Sequence, residues 1–169
     1  MTARARQRSA LIFRCFLSRD CANLIRSFRV YIRPLLEYSS TVWSPSTKYL
    51  IDDIEGVQRS FTKRLPGYGE LNYEQRLRRS KLQSLEHRRL ISDLITCYNI
   101  VHGHSSLKFS EFFKFSNSQI TRGHELRLDV PLAHSSIRHN FFLLPCFQAL
   151  ELPSSHSSQV WINKSLSKD

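Results

Sequence analysis

Along the first hundred residues apolar positions recur at intervals of three and four, the period of an amphipathic helix and not of a strand. Residues 3–17 are basic and mostly helix-forming. Ser18 or Asp20 stands where it can cap the next helix, accepting hydrogen bonds from N–H groups that have no partner inside the helix. That helix carries Leu24, Ile25, Phe28, Ile32, Leu35 and Leu36 on one face, with Arg26, Arg29 and Arg33 opposite. Pro34 lies within it and predicts a kink or break, since proline lacks an N–H and its ring collides with the preceding turn. Ser44-Pro45 then interrupts the chain, and Ser46 or Thr47 opens another helix.

The pattern is clearest over residues 48–65. Leu50, Ile54, Val57, Phe61 and Leu65 form one stripe. Asp52, Asp53 and Glu55 come early and Arg59, Lys63 and Arg64 late, an order that complements the helix macrodipole. Pro66-Gly67 ends the helix. Asn72, with Gln75 three residues on, forms a capping box for a short helix whose exposed side holds Arg76, Arg78, Arg79 and Lys81. Ser84 caps a longer helix, in which Leu90, Ile91, Leu94, Ile95, Tyr98 and Val101 face inward and which Gly103 closes. Phe109, Phe112, Phe113 and Phe115 predict a short aromatic helix or plug, and residues 125–130 alternate weakly as a strand would. The fold class expected is therefore mainly α: a small helical bundle with an irregular C-terminal part that has room for a short β-hairpin.

Composition sharpens this picture chiefly through charge. Twenty-five Lys and Arg stand against 14 Asp and Glu, a formal +11 with neutral histidines. Such an excess favours polyanions, because each phosphate neutralised releases condensed counterions. The four cysteines, Cys15, Cys21, Cys97 and Cys146, show neither a CxxC pair nor zinc-finger spacing. They read as reduced thiols of an intracellular protein, nuclear or cytoplasmic and not secreted. The Arg-rich start is interrupted at Arg14 and makes a poor signal peptide, and no stretch is long and apolar enough to span a bilayer, so no membrane partner is expected.

Catalytic signals are sparse. The only adjacent acid pair, Asp52-Asp53, sits near the start of a helix and reads as dipole-complementing surface acids rather than as a holder of two metal ions. Pro66-Gly67-Tyr68-Gly69 lacks the Lys and Ser or Thr of a Walker loop. His102-Gly103-His104 reads as a helix C-cap flanked by exposed histidines. No catalytic residue, metal ligand or cofactor is expected. The better candidates are the basic clusters Arg59, Lys63 and Arg64 on one helix and Arg76, Arg78 and Arg79 on the next, suited to backbone phosphates. Tyr68 and Tyr73 lie between them and serve either as stacking platforms for a base or as core rings.

The segment Tyr31-Ile32-Arg33-Pro34-Leu35-Leu36-Glu37-Tyr38, followed by Val42-Trp43-Ser44-Pro45, resembles the region after the polymerase core in reverse transcriptases of non-LTR (LINE-type) retrotransposons. Ile54-Glu55-Gly56-Val57-Gln58-Arg59-Ser60-Phe61-Thr62-Lys63-Arg64-Leu65-Pro66 is similar to the next motif of that family. Tyr73-Glu74-Gln75-Arg76-Leu77, Leu85-Glu86-His87-Arg88-Arg89-Leu90 and Asp93-Leu94 follow in order, and Thr121-Arg122-Gly123-His124 and Asn140-Phe141-Phe142 are the last pieces. The resemblance implies a thumb at residues 1–104 and a C-terminal extension at residues 105–142. It implies a parent RNA-directed DNA polymerase whose fingers and catalytic palm lie upstream of these motifs, so that the chain by itself is not an enzyme. Its expected partners are that missing core and nucleic acid, as RNA or an RNA–DNA hybrid gripped without sequence preference. Arg59, Lys63, Arg64, Arg76, Arg78 and Arg79 are the candidates for phosphate contact.

After Phe142 the family pattern calls for Arg-Val and then Trp-Asn-Ser-Leu-Pro, where this chain has Pro145-Cys146-Phe147-Gln148-Ala149-Leu150-Glu151-Leu152-Pro153-Ser154. Read one nucleotide later, codons for these residues permit Arg-Val-Ser-Arg-Leu-Trp-Asn-Ser-Leu-Pro. Residues 143–169 are thus expected to be a frameshifted or disordered tail of a decayed element. The competing reading is a helical protein–protein interaction module whose basic face is incidental.

Overall fold

The computed structural model describes residues 1–114 and residue 129. The expected strand at 125–130, the last two family motifs, Phe115, Cys146 and the tail at 143–169 lie outside these residues, residue 129 apart. The described part is helical, as the periodicity predicts, with no strand among the described residues. Compact packing divides the chain within one helix, giving a first unit Met1–Asp93 and a second unit Leu94–Asp169.

In the first unit, α1 (Thr2–Cys15) packs on the helices that follow. Helix α2 (Cys21–Ser27) starts where Asp20 accepts a hydrogen bond from the Asn23 N–H at 3.0 Å. The predicted interruption at Pro34 takes the form of a π turn over Phe28–Ile32. There the Arg33 N–H donates to the Phe28 carbonyl five residues back, and α3 (Arg33–Glu37) restarts with Pro34 in its first turn. Residues spaced by four drift round an α-helix, and the underwound π turn offsets part of that drift. Leu24, Phe28, Ile32 and Leu36 consequently stay on one fully buried line. Ser39 adopts a left-handed conformation (φ 52°) that ends the run before α4 (Ser40–Trp43), and the Trp43 indole N–H donates to the otherwise open Tyr38 carbonyl at 2.5 Å.

Helix α5 (Lys48–Lys63) supplies the centre of the core. Phe61 is fully buried, with its ring centroid 4.9 Å from those of both Phe13 and Phe28. Ile54, Val57 and Leu65 continue its buried stripe, but Leu50 does not: at 47% exposure it precedes the part of α5 that the bundle covers. Gly67 (φ 72°) turns the chain after α5. The capping box on α6 (Tyr73–Ser80) is formed as expected, with Asn72 and Gln75 exchanging hydrogen bonds at 2.9 and 3.0 Å.

Helix α7 (Leu85–Val101) begins with the Ser84 hydroxyl accepting from the His87 N–H at 3.2 Å. Its orientation corrects the sequence expectation. Leu85, Arg89 and Asp93 are the buried positions in the first unit, and Cys97 and Ile100 in the second, whereas Leu90 and Ile95 are exposed and Ile91, Leu94, Tyr98 and Val101 half-buried. In the second unit Gly103 (φ 70°) closes α7, the His104 N–H reaching back to the Asn99 carbonyl at 2.8 Å. The short helix α8 (Phe109–Phe112) follows, and Phe113 packs with Cys97 and Ile100.

Candidate nucleic-acid interface

The region around α5 and α6 is built on a buried polar network. Glu55, 4% exposed, accepts from the Tyr73 hydroxyl with one carboxylate oxygen and from the Leu85 N–H at 2.9 Å with the other. Gln58 is fully buried; its amide donates to the Tyr73 oxygen at 3.0 Å and to the Gln83 carbonyl at 2.9 Å. Burial and the Glu55 carboxylate together push the Tyr73 hydroxyl above its ordinary pKa. Two of the acids expected to serve the α5 dipole do something else: Glu55 closes this network, and Asp53, past the first turn, pairs with Arg6. Hydrogen bonds from Arg6 and Thr2 hold the Asp53 carboxyl below its usual range. Asp52 lies 3.4 Å from Arg59. Both members of the acid pair are thus committed to arginines.

The six basic candidates occupy different environments. The Arg59 and Arg76 guanidiniums lie 5.2 and 5.6 Å from the Tyr73 ring centroid, so these two share one aromatic platform. Arg76 does not belong to an exposed side: it is 7% exposed, donates to the Arg59 carbonyl at 3.4 Å and leaves a buried Nε without a partner. Arg79 lies over the Tyr68 ring at 4.9 Å and donates to the Gly67 carbonyl at 3.1 Å, bracing the turn between α5 and α6. Arg78 is exposed and pairs with Glu74 at 2.5 Å across one helical turn. Arg64 covers the Phe13 ring of α1 at 4.1 Å, and Lys63 is exposed in the last turn of α5. Tyr68, 4% exposed, is a core ring, whereas Tyr73 is half-buried with its hydroxyl held by Glu55 and Gln58.

Further arginines hold the bundle together. Arg29 donates to the Lys81 and Ser80 carbonyls at 3.0 and 3.3 Å, satisfying the open end of α6. Glu37 receives Arg88 in a two-point pair, whose Nη2 contact is 3.0 Å, with Arg33 at 3.8 Å. The pairing raises the pKa of Arg88, while burial lowers that of Arg33 and of Arg89. The Arg29 and Arg88 contacts were not visible in spacing, because they join residues about fifty positions apart. The Tyr98, His102 and His104 rings pack together at the end of α7, the first two at 4.1 Å. No cluster of three potential metal-ligating side chains occurs among the described residues, and no helix among them is long and apolar enough to cross a membrane.

No known family model and no solved structure matches the chain. It is similar to a Caenorhabditis elegans protein named "Uncharacterized protein B0403.1", with 30% identity over 95 residues, covering 54% of this chain and 48% of that one. The chain thus spans about half the length of the curated relative it matches.

Proposed function

We propose that these residues are the thumb and C-terminal extension of a non-LTR retrotransposon reverse transcriptase, a remnant whose remaining capacity is non-specific binding to the backbone of RNA or an RNA–DNA hybrid. The order of the motifs carries this reading, and one observation supports it. Residues from four separate motifs bond to one another: Glu55 and Gln58 to Tyr73, Glu55 to the Leu85 N–H, and Glu37 to Arg88. A chance likeness of scattered segments would have no reason to concentrate in the contacts that join α3, α5, α6 and α7. Polymerase chemistry is assigned to none of these residues; they would support the polymerase core of the parent enzyme.

Of the candidates for phosphate, Lys63 and Arg64 are exposed with no ion pair among the described residues. Arg59, Arg78 and Arg79 are exposed but already engaged by Asp52, Glu74 and the Gly67 carbonyl, and Arg76 acts through position, holding Tyr73 and the α5 backbone. The test is binding of the full chain to a primer–template RNA–DNA hybrid across a salt series. Binding that weakens steeply with salt is expected. Absence of binding by a folded chain would sink the proposal. The alternative, a helical interaction module, is favoured by the exposed Tyr38, Val42 and Tyr49, each more than three-quarters exposed. A stoichiometric protein complex with no salt-dependent affinity for nucleic acid would establish it instead.

A further inference from the structure

From Met1 through Arg19 the chain carries five arginines and no acid. Arg6 alone among those of α1 turns to the bundle, where it pairs with Asp53. Arg4, Arg8 and Arg14 are exposed and have no ion pair among the described residues. At 3.6 residues per turn they fall within an arc of roughly 120° on the side away from the buried Ala5, Ser9, Ile12 and Phe13. Meanwhile the acids Glu37, Asp52, Asp53 and Glu74 are occupied by arginines of other elements or by Arg6.

The placement of Arg4 is locally unfavourable. Helix α1 has no acid of its own in the first turn and no side-chain cap, so a cation there opposes the macrodipole, and the one carboxylate that faces this end, Asp53 of α5, is taken by Thr2 and Arg6. Arg14, in the last turn, is favoured by the same dipole, and Arg64 reaches across from the end of α5 to cover Phe13 beside it.

We propose that the outer face of α1, carrying Arg4, Arg8 and Arg14, is the main phosphate-binding surface of this chain, ahead of the α6 arginines. This rests on the reading of the chain as a nucleic-acid-binding thumb and assigns which surface of it makes the contact. The rise from Arg4 to Arg14 is about 15 Å, matching four to five phosphates of one strand at about 3.4 Å each along the duplex axis. An anionic membrane is the less suitable partner. A helix lying in a lipid interface needs its apolar face free, and the Ile12 and Phe13 face of α1 is already buried in the bundle. The α6 arginines, by contrast, are spent at home: Arg78 on Glu74, Arg79 on Gly67 and Tyr68, and Arg76 inside the core.

The test uses the full chain with an RNA–DNA hybrid, and separately with vesicles of phosphatidylserine and phosphatidylcholine. Loss of three duplex contacts in an Arg4→Gln, Arg8→Gln, Arg14→Gln triple variant should lower the salt slope by about 2.7, so that the loss of affinity between 50 and 200 mM salt shrinks by roughly 40-fold. The corresponding triple Arg→Lys variant should keep the wild-type slope, and serves as the charge-preserving comparison should the glutamines alter folding. An unchanged slope in a folded glutamine variant of a chain that does bind would overturn the assignment to α1 and leave the thumb reading standing. No binding by the wild-type chain would overturn both. Vesicle binding that the glutamines abolish, with hybrid binding intact, would overturn the choice of nucleic acid for this face.

Discussion

Helices α5 and α7 are of similar length and each carries an apolar stripe at helical spacing, yet only one of them lies as its pattern says. On α5, Ile54, Val57 and Phe61 are both the apolar stripe and the buried stripe. On α7 the strongest apolar stripe, Leu90, Ile91, Leu94, Ile95, Tyr98 and Val101, is at best half-covered, while Leu85, Arg89, Asp93, Cys97 and Ile100 are buried. The two stripes of α7 lie roughly 140° apart round the axis. A helix apolar on one side has its orientation set by burial of that side. A helix apolar on two sides can be turned by its polar contacts, and on α7 the Leu85 N–H to Glu55 and the Arg88 pair with Glu37 hold the first turn in place.

The comparison can be broken most forcefully at Phe61. Truncation by Phe61→Ala removes the ring between Phe13 and Phe28 and should cost about 3–5 kcal/mol, read as a lower urea midpoint. A smaller loss follows from Glu55→Gln, whose amide cannot accept from both the Tyr73 hydroxyl and the Leu85 N–H. Leaving one buried donor open should cost about 1–3 kcal/mol in the same assay, and a neutral result would remove the polar anchor proposed for α7.

Asp93 tests the polar side of α7 through pH. Burial raises its pKa to about 6, against the opposing pull of Arg89. The folded chain then holds a proton that the unfolded chain, with an aspartate pKa of about 3.9, releases. Stability should therefore fall as pH rises from about 4 to about 6 and level off above that. The span should be about 1 kcal/mol, the full shift being reduced by solvent screening. In Asp93→Asn this part of the pH dependence should vanish, and an unchanged profile would show that the carboxyl is not held in a buried site. The smallest effect belongs to Leu90→Ser on the exposed stripe, expected within about 0.5 kcal/mol of wild type by thermal unfolding. A loss of 2 kcal/mol or more would restore the orientation that the apolar pattern suggests.

The basic candidates teach the same lesson from the outside. Arg78 reads as a surface cation and is one; Arg76, two positions away, reads alike and lies in the core. Nothing in the spacing separates them, since the difference comes from the Arg59 carbonyl and the Tyr73 ring that Arg76 meets in the folded chain. The arginines of α1 were legible as a basic run, but their significance depends on which acids elsewhere are already occupied.

By itself the sequence determined most of the helices and several of their ends, because caps, glycine turns and the three-to-four period act within one or two turns: Asp20, the Asn72 and Gln75 pair, Gly67 and Gly103 stand where local chemistry places them. It also determined the strong positive charge and the face that α5 buries. Only the tertiary structure decided the orientation of α7, the burial of Glu55, Gln58, Arg76 and Arg89, and the choice of which arginines remain free. Those outcomes turn on hydrogen bonds and ion pairs between residues about fifteen to fifty positions apart, and such pairings have no periodicity along the chain from which to read them.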